Sequence, residues 1–309
     1  MRAATYHNSM QSERRFAALS ALAGGVLAIS WSAIFVRWSK MPGVASAFYR
    51  MVIALPVLWA ILAFKRRAGR RITRRTFWIA AAGGVFFSGD VGFWNVAVMH
   101  TSAGNATFLS NVSPLFVGLI TWMLTRRLPS GRFWIALALG LVGSCLIVTG
   151  DLRQALSRSS ADGLALLAAV CFALYLVITG RLRERVDVAL LLAVSTTASA
   201  VTLLAWAVGG HVSLAVPGVG SWWALLALGL VCQVGGYFGL TYALGHLPTP
   251  VTSILFLTVA PMTAVFAWMI FGERMSPMEI AGGTLVVAGV WIVGRRAKRD
   301  VAEMPNLAA

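Results

Sequence analysis

The sequence predicts an all-α integral membrane protein with ten transmembrane helices in two inverted five-helix repeats. Three observations carry that prediction. Fifty-nine percent of the 309 residues are hydrophobic and only 12% are charged, whereas a soluble domain holds roughly 45–50% apolar and about 25% charged residues. The apolar residues gather into runs of about 20, the length that crosses a bilayer. A segment of the first half also returns, thinned, in the second. Gly89-Asp90-Val91-Gly92 becomes Gly236-Tyr237-Phe238-Gly239, and Pro114 becomes Pro261, both 147 residues on.

In order, the candidate spans of the first repeat (17–150) are 17–36, 43–64, 77–98, 102–124 and 132–150. Those of the second repeat (162–294) are 162–180, 187–208, 222–244, 250–271 and 277–294. A tail at 1–16 precedes them and a basic tail at 295–309 follows, both expected to be loosely ordered. Arg14 and Arg15 stand before the first run, and no small-residue cleavage site followed by a soluble domain comes after it. It is therefore read as an uncleaved first span.

The net charge of +16 raises the question of nucleic acid. The arginines instead sit in short clusters between apolar runs, without a nucleic-acid-binding motif, so no nucleic-acid partner is expected. With the N-terminus inside, the inner segments hold twenty Lys and Arg, seven of them in Lys65–Arg75. The outer segments hold five: Arg37, Lys40, Arg153, Arg158 and Arg274. The positive-inside rule then places both termini in the cytoplasm. Five spans are an odd number, so the second repeat enters the membrane upside down relative to the first. Inverted repeats are a transporter architecture, with the substrate site near the midplane between the halves.

Further residues carry a family likeness. Gly239-Leu240-Thr241-Tyr242-Ala243-Leu244, through Pro261 to Phe271-Gly272-Glu273-Arg274, with Gly282, Gly283 and Gly289 in the last run, resembles the EamA-type repeat of the drug/metabolite transporter superfamily. The first half matches through Trp94–Ala97, Thr101–Leu109, Pro114 and Gly140–Gly143. It departs at Arg126-Arg127, where the family usually has Glu. The resemblance covers about 17–294. It implies secondary transport, often export, of amino acids, related metabolites or drugs across the bacterial inner membrane.

Asp90 is the only acid deep within a predicted span, and Arg50 is the only base comparably placed. Charges in hydrocarbon face a bundle interior or a wet cavity. Arg50 lies about seven residues in from the outer end of its span and Asp90 about eight, so at about 1.5 Å per residue their depths agree within a turn. An ion pair is predicted. It serves either to fix helix packing or as a charged gate or substrate site, and Asp90 is also a candidate for proton coupling.

Pro114 and Pro261 each remove a helix hydrogen bond at equivalent places. Asn111 stands before the first and Thr258 before the second. Broken helices are where transporters expose backbone to substrate. Trp31, Trp94, Tyr175, Tyr237 and Tyr242 lie well inside spans, whereas Trp38, Trp59, Trp78, Trp222 and Trp223 occupy the interfacial positions usual for such residues. The inner rings can stack on a planar or cationic solute, or serve as core aromatics. Asn95, Asn105, Ser110 and Gln233 can hydrogen bond a substrate, or link helices.

Cys145, Cys171 and Cys232 lie singly in apolar runs, without disulfide or zinc spacing. There is no P-loop stretch and no H-E-x-x-H. No metal, cofactor or catalytic set is expected. The sequence therefore points to a carrier of a small molecule, perhaps proton-coupled, in the lipid bilayer, and leaves monomer and homodimer both open. A membrane-embedded enzyme and a passive channel or non-transporting factor are the competing readings. The first substrate-binding candidates are Asp90, Trp94, Asn95, Asn105, Asn111, Tyr175, Gln233, Tyr237 and Tyr242, with Arg50 as partner or gate.

Overall fold

Backbone N–H and C=O groups in hydrocarbon have no water to bond, so a helix, which satisfies them within its own segment, is the structure such runs adopt. The computed structural model describes residues 2–65, 73–100, 109–148, 160–183, 185–272 and 275–299. Among the described residues every regular element is helical. In order they are α1 (Arg2–Ser30), α2 (Ser32–Ser39), α3 (Gly43–Lys65), α4 (Arg74–His100), α5 (Ser113–Thr125) and α6 (Gly131–Val148). Then come α7 (Ser160–Arg183), α8 (Val188–Gly209), α9 (Val219–Ala227), a π-helical segment (Leu228–Gly236), α10 (Tyr237–Leu244), α11 (Thr249–Phe256), α12 (Val259–Phe271) and α13 (Pro277–Arg299).

Eight of the described helical runs are long and apolar enough to cross a membrane, and Ser113–Thr125 and Gly131–Ile147 are shorter apolar helices. The chain is a multi-pass membrane protein. Its outward surface agrees: Phe64, Met123, Val208, Trp223 and Met269 are exposed, and α12 buries none of its residues. Trp38, Trp59, Trp78, Trp222 and Trp223 are likewise exposed.

Helix ends differ from the hydropathy boundaries in places. Helix α1 begins at Arg2 and α13 continues to Arg299, so the helices run on into segments expected as loose tails. Hydropathy ends where the lipid does, but Arg and Lys are good helix formers and carry the helix further. Local chemistry fixes other ends. Asp187 caps α8 by accepting from the Ala189 N–H at 2.8 Å. At the start of α13, the Ser276 N–H donates to Glu279 and the Glu279 N–H donates to the Ser276 hydroxyl, a reciprocal capping box.

Three apolar runs are interrupted. Trp31 separates α1 from α2, and the Ser30 carbonyl accepts the Thr263 hydroxyl of α12 at 3.0 Å. Asn111-Val112 precede α5, and Leu257-Thr258 separate α11 from α12. These last two turns lie ahead of Pro114 and Pro261, and Asn111 and Thr258 are 147 residues apart.

The same offset relates the packing. It carries α1 onto α7, α3 onto α8, α4 onto α9–α10, α5 onto α12 and α6 onto α13. Helix α1 packs on the π-helical segment and α10, as α7 packs on α4; α5 packs on α7, as α12 packs on α1. Helices α3 and α8 pack together, as do α6 and α13. Glycines allow the closest crossings. A Cβ on Gly143 would strike the Gly282 carbonyl, and one on Gly282 would strike that of Gly143. Likewise a Cβ on Gly25 would strike the carbonyl of Gly236. Small residues at such points let helix backbones approach where no hydrophobic force drives them together. The main core lies where both halves meet, and includes Leu22, Met51, Phe87, Tyr175, Leu192 and Leu240.

Candidate functional site

A cavity of about 210 Å³ opens between the halves. Helix α3 gives it Ser46, Ala47 and Arg50; α4 gives Asp90, Val91, Trp94 and Asn95. The break before α5 contributes Ser110, Asn111 and Ser113. From the second half come Phe172 of α7, Leu228 and Tyr237 around the π-helical segment, and Ser253, Phe256 and Leu257 at the break before α12. Its volume is below the roughly 300–1,000 Å³ usual for drug-sized ligands, so it suits a small solute. Asp90 and Tyr237 occupy the same place in the two repeats and both face it. So do Ser110 and Leu257.

Arg50 is 6% exposed. Its Nε donates to Oε1 of Gln233 at 2.9 Å and its Nη1 to the Ser32 hydroxyl at 3.3 Å. Nη2 has no hydrogen-bond partner among the described residues. The guanidinium carbon lies 5.1 Å from the centre of the Tyr237 ring, a cation–π distance. Gln233 in turn donates to the Thr196 hydroxyl at 3.4 Å, so a polar chain of Ser32, Arg50, Gln233 and Thr196 joins α2, α3, the π-helical segment and α8. The expected partnership of Arg50 with Asp90 takes a different form. The two share the cavity wall, but the hydrogen bonds of Arg50 go to neutral groups. Gln233 belongs to the π-helical segment, and such turns often mark functional sites.

The other expected residues divide by position. Trp94, Asn95, Asn111 and Tyr237 line the cavity with Asp90. Asn95 donates its Nδ2 hydrogen to the Val91 carbonyl at 2.7 Å, and its side chain packs where Gly43 lacks a Cβ. Asn111 has a buried Nδ2 with no partner among the described residues. Gln233 stands behind Arg50. Tyr175 is 2% exposed and forms a second layer, its ring 4.8 Å from Phe87 and 6.2 Å from Tyr237.

Tyr242 is outside the cavity, at the end of α10, with its ring 4.4 Å from His246. Depth within a span does not show which way a helical side chain faces, and Tyr242 faces away. Trp31 packs on Phe35 and Phe266 at the break between α1 and α2 instead of lining the cavity. Pro114 is buried in the first turn of α5, and Pro261 lies in the first turn of α12. Asn105 lies outside the described residues, as do Glu273 and Arg274.

Ser32, Ser46, Ser113, Ser253, Phe172 and Phe256 also line the cavity, and sequence reasoning did not single them out. Ser46 was findable, because it stands one turn before Arg50 on the same face of α3. Ser113 was findable beside Asn111. Phe172 has no comparable mark, since one Phe in an apolar run looks like any other.

The sequence model of the EamA-like transporter family matches residues 16–149 and 159–295. A transporter of Archaeoglobus fulgidus is 27% identical over 253 residues, covering 80% of this chain and 86% of its own length. The pseudopaline exporter CntI of Pseudomonas aeruginosa is 25% identical over 264 residues, covering 84% and 89%. A probable terminal-alkyne amino-acid exporter of Streptantibioticus cattleyicolor is 25% identical over 269 residues, covering 85% and 89%. A solved crystal structure matches with a TM-score of 0.76 over 95% of this chain and 99% of that one, at 18% identity, which is a likeness of fold.

Proposed function

The chain belongs to the EamA-like transporter family, and from that premise we propose that it is a secondary active transporter that exports a small metabolite, an amino acid or a related compound, by alternating access. One observation carries the reading: the cavity lies between the two repeats and is lined by equivalent residues of both, Asp90 and Tyr237. A site between two similar halves becomes accessible from alternate sides when one half rocks against the other. The names of two relatives, exporters of pseudopaline and of a terminal-alkyne amino acid, support export and the metabolite class.

In this proposal the two five-helix halves have opposite orientations, ten helices cross the membrane, and both termini are in the cytoplasm of a bacterial inner membrane. Twenty inner against five outer Lys and Arg residues support the orientation. The exchange of packing partners under the repeat supports the symmetry. The chain carries solute and catalyses no bond change, a reading supported by its family and by a cavity wall that has, among the described residues, one carboxylate and no histidine.

Uptake and counterflow in proteoliposomes test the proposal, using amino acids, nucleosides and cationic drugs, with and without a pH gradient. Saturable counterflow is expected, and its dependence on the pH gradient reports proton coupling. Flux that does not saturate and shows no counterflow would make the protein a pore.

A further inference from the structure

Two arginines at the close of α5 have no part in the carrier reading. Arg126-Arg127, with Arg132 in the first turn of α6, put three cations within one short connection. The corresponding turn after α12 reads Gly272-Glu273-Arg274, so the repeat itself does not require this charge. All three side chains are exposed. None makes an ion pair among the described residues, and the sequence holds no Asp or Glu between Asp90 and Asp151.

The turn that carries them is fixed in place. Phe133 is buried and fills the space where Gly118 of α5 lacks a Cβ, with Pro129 beside it. The Thr125 hydroxyl donates to the Thr121 carbonyl at 2.8 Å and accepts the Arg127 N–H at 3.3 Å. Arg126 itself is held in the left-handed region at φ 57°, a conformation that α12 reaches on Gly272. A side chain is strained there where glycine is not. Strain retained at a position points to a use for the residue that bears it.

Apolar surface adjoins the charge. Trp122, Met123 and Leu124 in the last turn of α5, and Leu128 in the connection, are all exposed. The Trp122 carbonyl accepts the Arg126 N–H at 2.7 Å, so the two residues stand one turn apart. Tryptophan beside arginine is the composition of a helix end at headgroup depth. Arginine also suits phosphate, which it binds through parallel N–H bonds. A ligand that meets both surfaces has an anionic head and acyl chains.

We propose that the connection between α5 and α6 binds the phosphodiester headgroup of an anionic phospholipid. Arg126, Arg127 and Arg132 hold the headgroup, and the acyl chains lie along Trp122, Met123 and Leu128. Assignment to the cytoplasmic leaflet rests on the orientation proposed above, whereas the binding itself does not.

The test is native mass spectrometry of the purified protein in detergent, titrated with phosphatidylglycerol or phosphatidylcholine of identical acyl chains. One phosphatidylglycerol is retained about tenfold or more in preference to phosphatidylcholine. Each arginine beside an anionic headgroup contributes about fivefold in affinity. Arg126→Gly therefore weakens phosphatidylglycerol binding about fivefold, while its lipid-free Tm stays the same or rises because the left-handed strain is relieved. Adding Arg127→Gln and Arg132→Gln reduces binding to the phosphatidylcholine level. The control variant, Arg74→Gln with Arg75→Gln and Arg181→Gln, removes equal charge from other exposed arginines and keeps the preference.

The proposal is overturned if the two lipids bind alike, if Arg126→Gly folds and binds like the wild type, or if the control variant loses as much as the triple variant. Inorganic phosphate that displaces the lipid at equal concentration would also overturn it, because the site would then take free anions. Equal binding of the two lipids by protein that still shows counterflow sinks this proposal and leaves the carrier reading standing.

Discussion

The Nε of Arg50 donates to Oε1 of Gln233 across 2.9 Å, joining α3 to the π-helical segment 183 residues later in the chain. The bond ties the two repeats together at the wall of their shared cavity. It leaves Asp90, on the facing helix α4, free of any hydrogen bond to the guanidinium.

That arrangement separates the roles of two charged side chains. Asp90→Asn keeps shape and breaks no hydrogen bond among the described residues, so a folded variant is expected. Loss of a charge contact with solute, about 1.5–3 kcal/mol, lowers counterflow at least about tenfold. Transport assays on protein with an unchanged melting profile check this. Undiminished flux would make Asp90 a structural residue.

Gln233→Leu leaves the buried Nε of Arg50 without an acceptor. A loss of about 2–3 kcal/mol is expected, more than a neutral hydrogen bond is worth, because the orphaned donor is charged. Denaturant unfolding in detergent measures it, and the double variant with Arg50→Met should recover part of the loss.

Tyr242→Phe is expected to leave counterflow unchanged in rate and KM, since the residue lies outside the cavity against His246. Tyr237→Leu at the cavity wall, where the ring meets Arg50 at 5.1 Å, is expected to weaken it. A comparable loss in both variants would mean that aromatic depth, not position on the wall, matters.

Gly282→Val places a side chain against the Gly143 carbonyl and pushes α6 from α13. Overpacking of this kind costs about 1–3 kcal/mol. Lower Tm and faster proteolysis of the variant are the expected readouts, and Gly283→Ala, whose added Cβ would meet only Pro261 at ordinary contact distance, is the tolerated control.

Arg126 closes α5 in a left-handed conformation, φ 57°, where α12 ends on Gly272 at φ 67°. A side chain there costs roughly 1 kcal/mol that glycine does not incur. Arg126→Gly is therefore expected to raise stability by about that amount, read as a higher denaturation midpoint.

Much of this protein was legible in its sequence, because the bilayer reduces the choices to one. A run of about 20 apolar residues must be a helix, and that condition, applied along the chain, agrees with the eight described runs long and apolar enough to cross. The repeat spacing places Asp90 and Tyr237 in corresponding positions, and a charge in a span must face inward. Hence Arg50, Asp90, Trp94, Asn95, Asn111 and Tyr237 were findable one residue at a time. Tertiary structure decided what those residues do to one another. Which group reaches Arg50 is a matter of packing between α3 and Leu228–Gly236, whose π-helical winding no propensity announces, and that group is Gln233. That Tyr242 lies off the cavity wall and Phe172 on it depends on how each helix is rotated in the packed bundle. Hydropathy is a property of each segment alone. Facing and pairing belong to several segments at once, and they are fixed only when the helices have packed.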